Sequence, residues 1–142
     1  MEAALQVRPT DVLSIRASHD FVHGDDIEKD QPLPLMPPPR STFGIDVSPV
    51  MSGWLNGARA GAEVQVVQEQ KRLNPEDFAT DGYALLNLDF GIEHSFGGMP
   101  LRIDLDVRNA TNKAYKDFLS RYKTFAFAQG RTIVLRISSA NW

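Results

Sequence analysis

The feature that most constrains this chain is a two-residue rhythm of apolar and polar side chains. It is plainest in Leu101-Arg102-Ile103-Asp104-Leu105-Asp106-Val107-Arg108, where aliphatic and charged residues alternate without a break. A helix would spread those charges around its girth, whereas a strand sends successive side chains to opposite faces. The segment is therefore expected to be a strand with one apolar and one wet face. The same phase sets Leu13, Ile15 and Ala17 against Ser14, Arg16 and Ser18, and Phe43, Ile45 and Val47 against Thr42, Gly44, Asp46 and Ser48. It returns where Ala60, Ala62, Val64 and Val66 oppose Arg59, Gly61, Glu63 and Gln65, and where Leu86, Leu88, Phe90 and Ile92 oppose Asn87, Asp89, Gly91 and Glu93. Last, Ile133, Leu135 and Ile137 oppose Val134, Arg136 and Ser138. With a first run from Glu2 to Val7, about seven strands are predicted, several near the ~9–11 residues that a tilted strand needs to cross a bilayer.

The connections carry as much information as the strands. Arg8-Pro9-Thr10-Asp11 reads as a tight turn, Ser95 to Pro100 as a Gly/Pro hairpin turn, and Pro49 to Gly57 as a compact link. Between them fall longer polar or irregular stretches: Gly24 to Arg40, Lys71 to Asp81, and Ala110 to Gln129. Short and long connections take strict turns. In an antiparallel meander this gathers all short turns at one end and all long loops at the other, the asymmetry of outer-membrane barrels. The expected fold is thus all-β, an antiparallel up-and-down meander forming a curved partial segment of a transmembrane β-barrel. An odd strand count makes the first and last strands run parallel, so the meander cannot close antiparallel on itself. At ~4.8 Å between strands it makes an arc of roughly 30 Å, short of a large transporter barrel. The chain is expected to be the C-terminal part of something larger, with Trp142 at the short-turn end.

Composition removes several other classes. With 42% hydrophobic and 23% charged residues the chain is too apolar for disorder. Fifteen Lys plus Arg against 18 Asp plus Glu exclude a nucleic-acid binder that works by neutralising phosphates. The absence of cysteine removes disulfide frameworks, thiolate zinc sites and cysteine nucleophiles. No window holds the ~18 consecutive apolar residues of a membrane helix, and Met1 to Arg8 lacks the pattern of a signal peptide.

The order of motifs resembles the C-terminal part of the TonB-dependent outer-membrane receptors. A Pro-rich loop of that family is matched by Leu33-Pro34-Leu35-Met36-Pro37-Pro38-Pro39-Arg40, with one extra proline. Gln70-Lys71-Arg72 and then Thr80-Asp81-Gly82-Tyr83-Ala84-Leu85-Leu86-Asn87-Leu88 follow in the family's order. Val107-Arg108-Asn109-Ala110-Thr111-Asn112-Lys113-Ala114-Tyr115 and Gln129-Gly130-Arg131 match later elements, departing at Ala110 and Gln129, and Asp117 to Lys123 looks like a further one. Asn109 and Asn112 suit a strand exit by bonding nearby backbone, and Gly130 suits the tight start of the last strand.

The resemblance implies part of the wall and extracellular loops of a Gram-negative outer-membrane importer. Such a receptor takes up a scarce ligand, for example a siderophore, cobalamin, a metal chelate or a glycan. Its partners would be outer-membrane lipids, the remaining strands and plug domain of the full receptor, the outer-membrane insertion machinery and, only through the full-length receptor, the TonB complex. The plug and remaining strands are expected to lie outside residues 1–142, and no cofactor is implied. Trp142 would stand for the family's terminal aromatic assembly signal, although its parity differs from that of Ile133, Leu135 and Ile137 unless a bulge intervenes.

On this reading Leu101, Ile103, Leu105, Val107, Ile133, Leu135 and Ile137 face lipid, while Arg102, Asp104, Asp106 and Arg108 face the lumen and plug. The plainer account of the charged row is the wet side of any antiparallel sheet. Phe118, Tyr122, Phe125 and Phe127 crowd the last long loop, either touching substrate or, the favoured account, packing the loop itself. Trp54 would sit at the periplasmic interface. His19, His23 and His94 are too dispersed to chelate a metal, and Asp25 and Asp26 read as solvated loop charges. No Gly-x-Ser-x-Gly elbow is present and catalysis has no support. Two rivals remain: a soluble ligand-binding β-barrel with its aliphatic row inside, and an enzyme on a β scaffold with titratable residues converging in a closed pocket.

Overall fold

The structure, a computed structural model, describes residues 1–55 and 57–139, without the side chains of Trp54 and Phe96. The strands follow as β1 (Glu2–Thr10), β2 (Leu13–Asp20), β3 (Asp25–Asp26), β4 (Gln31–Pro32), β5 (Arg40–Val47), β6 (Arg59–Val67), β7 (Tyr83–Phe96), β8 (Met99–Arg108) and β9 (Thr132–Ser139). A 3-10 turn at Gly53–Leu55 lies between β5 and β6. Seven strands pair antiparallel in one sheet in the order β1-β2-β5-β6-β7-β8-β9, the expected meander, and β3 and β4 form a separate two-stranded hairpin. The short links β1–β2, β5–β6 and β7–β8 therefore share one end of the sheet, and the long ones share the other.

Three details differ from the pattern in the sequence. β1 continues through Pro9 to Thr10, and the predicted turn at Arg8–Asp11 is instead a register shift between Val7 and Thr10. Proline has no N–H to give the ladder, so an edge strand absorbs it as a bulge. The Gly24–Arg40 loop contains the β3–β4 hairpin, whose two-residue strands are too short to show a period. The β7–β8 hairpin is longer and its turn tighter than Ser95 to Pro100: only Gly97 and Gly98 lie outside the strands, at φ 57° and 85°. Two successive positive φ values are what a two-residue hairpin turn demands, and glycine accepts them without strain.

Register decides what each face presents, because directly opposed residues of an antiparallel ladder point the same way. One row crosses all seven strands through Val7, Ile15, Ile45, Ala62, Leu88, Val107 and Ile133. The next runs Leu13, Val47, Ala60, Phe90, Leu105 and Leu135. Among the described residues nothing covers this face. Leu5 is 63% exposed, and Ile133, Leu135 and Ile137 are 63%, 60% and 61% exposed. Ile15, Phe43, Ile45, Val64 and Phe90 are exposed as well. Among the described residues the buried hydrophobic side chains are only Val67, Leu85 and Phe118. A water-soluble globule of this length would hide its aliphatic residues from solvent, and this sheet displays them.

Candidate functional site

The sheet has two chemically distinct faces and one elaborated end, and each holds residues marked out in the sequence. On the apolar face stand Leu101, Ile103, Leu105 and Val107 of β8, half-buried between neighbours, beside Ile133, Leu135 and Ile137 of the exposed edge strand β9. The β8–β9 register is unbroken from Arg108↔Thr132 to Leu101↔Ser139. The expected aromatic signal at Trp142 lies outside the described residues.

The other face is a lattice of ion pairs. Arg16 meets Asp46 at 3.0 Å, Arg40 meets Asp20 at 3.1 Å, and Arg136 meets Asp106 at 3.7 Å, all between adjacent strands. Exposed pairs of this kind contribute little individually. Asp104 is different, since it is 7% exposed and takes two guanidinium groups: Arg102 on its own strand at 3.0 Å, and Arg59 from β6. Arg108 and Arg102 are the exposed members of the predicted charged row, and Asp106 is intermediate.

Arg59 reaches Asp104 because of what stands between them. The register aligns Arg59, Gly91 and Asp104 across β6, β7 and β8. A Cβ on Gly91 would come within 2.6 Å of Arg59 Nη2, so the guanidinium occupies the space that a side chain would fill. The same device recurs: the Asp89 carboxylate lies over Gly61, with Cγ 2.8 Å from where a Cβ would stand, and the Arg16 guanidinium lies over Gly44. Long charged side chains thus lie flat along this face instead of projecting from it. Sequence periodicity placed the glycines in the polar phase but carried no sign of this function, which depends on cross-strand register.

At the long-loop end the connections knit together. Gln70 donates from Nε2 to Met36 O at 2.9 Å and accepts from Arg72 N at 3.0 Å. Asn74 donates to Pro32 O at 2.7 Å, and Asp77 accepts from the backbone N–H of Leu35 at 3.1 Å. The Pro-rich loop is therefore tied to the 68–82 loop by polar side chains whose partners lie far away in sequence. Asp25 is engaged by Arg72, and Asp26 accepts from the N–H groups of Glu28 and Lys29, so both aspartates have structural work.

The 109–131 loop leaves β8 through Asn109, held at φ 50° and only 3% exposed. Its side chain accepts from Lys113 N at 2.8 Å and donates to Lys113 O at 2.9 Å, while its own N–H donates to Asn87 Oδ1. Asn112, at φ 54°, accepts from Arg131 N at 3.0 Å and so fixes the return of the chain into β9. Gly130 has no unusual φ: its value lies in close approach, since a Cβ there would come within 3.0 Å of Asn112 Oδ1.

The four loop aromatics separate. Phe118 is 1% exposed, with Lys123 Nζ over its ring at 3.7 Å and donating to its carbonyl at 2.9 Å. Tyr122, Phe125 and Phe127 are exposed, with Tyr122 and Phe125 in edge contact at 5.6 Å. Tyr115 stacks on Tyr83 with centroids 4.2 Å apart, at the edge of a cleft of about 390 Å³ that Lys113, Lys116 and Phe127 help to line. Burial pushes the Tyr115 phenol above its usual value, and the Asp117 charge adds to the shift. His19 bonds Ser41 Oγ at 2.9 Å. Among the described residues no group of three or more His, Asp or Glu is arranged to hold a metal ion.

No protein-family model matches the chain, and no curated protein matches it. Among solved structures it is similar to the copper transporter OprC, with a TM-score of 0.80 at 22% identity over 98% of this chain. That match covers 23% of the OprC chain, so this sequence spans less than a quarter of that structure's length. The likeness is one of fold: a seven-stranded meander similar to part of a transporter.

Proposed function

We propose that residues 1–142 form a C-terminal wall segment of a TonB-dependent receptor in the outer membrane of a Gram-negative cell, an importer of a scarce ligand such as a siderophore, cobalamin, a metal chelate or a glycan. The observation that carries this reading is the uncovered apolar face and its height. Along β7 the face runs from Ala84, at the long-loop end, to His94. At ~3.4 Å per residue that stretch is about 34 Å long, which a tilt of ~40° projects to about 26 Å, close to the ~25 Å apolar band of a membrane barrel. Polar residues bound the face at both ends: His19 and Ser41 in the Ala84 row, Ser139 in the row of His94 and Leu101. Each large aliphatic side chain moved from water to hydrocarbon contributes roughly 1.5–3 kcal/mol, so lipid is the medium that stabilises this sheet.

The ion-paired face then looks into the lumen, where Arg102, Asp104, Asp106 and Arg108 stand opposite the plug domain. The long loops, with Tyr122, Phe125 and Phe127 exposed, form part of the extracellular surface that meets incoming ligand. Strands beyond β1 and β9, and the plug itself, belong to the rest of the receptor. Copper is what the similar structure is named for, and the ligand of this protein is proposed only as a class. A soluble barrel would need the aliphatic row enclosed, and the exposure of Leu5, Ile45 and Leu135 argues against that rival.

The test is to express the intact gene in a Gram-negative host and fractionate the envelope. The reading expects the protein in the outer membrane, with a heat-dependent shift in electrophoretic mobility and with ligand uptake that stops when TonB is deleted. Recovery as a soluble monomer overturns it.

A further inference from the structure

The cleft of about 390 Å³ beside the Tyr83–Tyr115 stack is built from two loops far apart in the sequence. One wall is Ala79 to Tyr83, the entry into β7, and the other is Lys113 to Lys116, just beyond β8. Register sets Tyr83 opposite Val67, Val67 opposite Arg40 and Arg40 opposite Asp20, so Tyr83 stands on the ion-paired face at its long-loop end. Both walls are held from behind. A Cβ on Gly82 would lie 2.9 Å from Val67 O, so glycine is what lets that wall come so close to the end of β6. On the other wall Asn109 bonds both backbone groups of Lys113, and Ala128 N–H donates to Tyr115 O at 2.8 Å, which brings Phe127 beside the cleft.

The lining joins aromatic rings to uncommitted charge. Tyr83, Tyr115 and Phe127 supply the rings, and Phe127 is exposed. Among the described residues neither Lys113 nor Lys116 makes an ion pair. Lys116 Nζ stands 5.6 Å from the centre of the Phe127 ring and meets Thr124 O only at 3.5 Å. Arg16, Arg40, Arg59 and Arg136 each hold an aspartate, so these two lysines differ from the cations of the strands. Ammonium groups free of carboxylates make strong, charge-assisted hydrogen bonds to an anion, and rings take a flat apolar body in offset or edge contact. A bare inorganic anion would use the lysines and leave the rings wet. A neutral sugar would use the rings and leave both charges unanswered. The volume lies within the ~300–1,000 Å³ of small-molecule sites.

We infer that this cleft binds an aromatic carboxylate, free or as one arm of a larger ligand, with its ring against Tyr115 and Phe127 and its acid group at Lys113 and Lys116. Asp81, on the opposite wall and also without an ion pair among the described residues, repels the acid group and so sets its direction. The inference deepens the importer reading and rests on it, since that reading makes the long-loop end of the ion-paired face the place where ligand arrives.

The experiment is isothermal titration of the intact protein in lipid nanodiscs, with empty discs subtracted, using naphthoate as the probe beside cyclohexanecarboxylate, naphthalenemethanol and inorganic phosphate. The expected result is saturable naphthoate binding that weakens with added salt, weaker binding of cyclohexanecarboxylate and of the alcohol, and none of phosphate. Lys113→Ala with Lys116→Ala weakens naphthoate about tenfold, the loss of a charge-assisted hydrogen bond, and arginine at both positions retains it. Phe127→Ala weakens it about threefold through the lost ring contact, and Asp81→Asn tightens it. No saturable naphthoate binding, equal affinity in the lysine variant, or phosphate held as tightly as naphthoate overturns the site. Equal affinity for cyclohexanecarboxylate with no effect of Phe127→Ala overturns the aromatic assignment, and weaker binding in Asp81→Asn overturns the assigned direction. Each of these outcomes leaves the importer reading standing. That reading fails separately, before any probe is added, if the protein is recovered as a soluble monomer.

Discussion

Arg59 on β6 and Asp104 on β8 form an ion pair across an intervening strand, over the bare backbone of Gly91. Neither adjacent-strand pairing nor strand periodicity produces such a contact. It requires a residue with no side chain in the middle position.

The pair predicts a specific pattern of destabilisation. Gly91→Val displaces the guanidinium and leaves Asp104, 7% exposed, with Arg102 as its remaining cation. Arg59→Met removes the same contact from the other side. Each change is expected to cost about 2–3 kcal/mol, below the ~3–5 kcal/mol of a fully buried pair because Arg59 is partly exposed. The double variant is expected to cost little more than either single one, which urea titrations of the refolded protein in lipid would measure as a coupling energy.

The apolar face predicts a dependence on depth. Ile45→Arg and Leu135→Arg fall in the middle rows and are expected to cost about 2–4 kcal/mol each, whereas Val66→Arg, in the row of His19 and Ser41, is expected to cost about 0–1 kcal/mol. The same titrations in lipid vesicles check the order. Equal costs at all three positions contradict the assigned band.

Much of this was legible in the sequence, and the reasons are physical. A face that meets one medium along its whole length must repeat every second residue, so Leu101 to Arg108 and Ile133 to Ser138 showed their phase directly. The alternation of short and long connections survived for the same reason, since it follows from the meander. What stayed hidden depends on partners distant in sequence. The burial of Asp104 comes from Arg59 two strands away, and the work of Gln70, Asn74 and Asp77 comes from carbonyl and amide groups of the Pro-rich loop. The β3–β4 hairpin was too short to carry a pattern, and at Pro9 a turn-forming residue sits instead in a bulge.

Asn109 is predicted to be the residue that holds the last long loop. Asn109→Ala loses both bonds to Lys113 and adds strain at φ 50°, while Asn109→Gly loses the bonds alone. Hydrogen exchange should rise across residues 110–131 in both variants, further in the alanine one, with the strand amides unchanged.

Tyr115 gives a pH signature. Its phenol favours the neutral form in the folded state, through burial and then Asp117. A raised acid pKa contributes stability that is fully present below the unfolded value near ~10 and is lost as pH rises through the higher folded value. Ultraviolet titration of the protein against its Tyr115→Phe variant is expected to show one phenol ionising late, and Asp117→Asn is expected to bring that ionisation earlier.

The most direct test of the account uses the absence of native cysteine and two neighbouring residues on opposite faces. Single cysteines at Ile45 and Asp46, labelled with a fluorophore in proteoliposomes of the intact protein, report what each face touches. The account predicts that the label at position 45 is quenched by spin-labelled acyl chains and shielded from a water-soluble quencher, and that the label at position 46 behaves the opposite way. Quenching of position 45 from water as efficiently as position 46, with no response to the lipid probe, would contradict it.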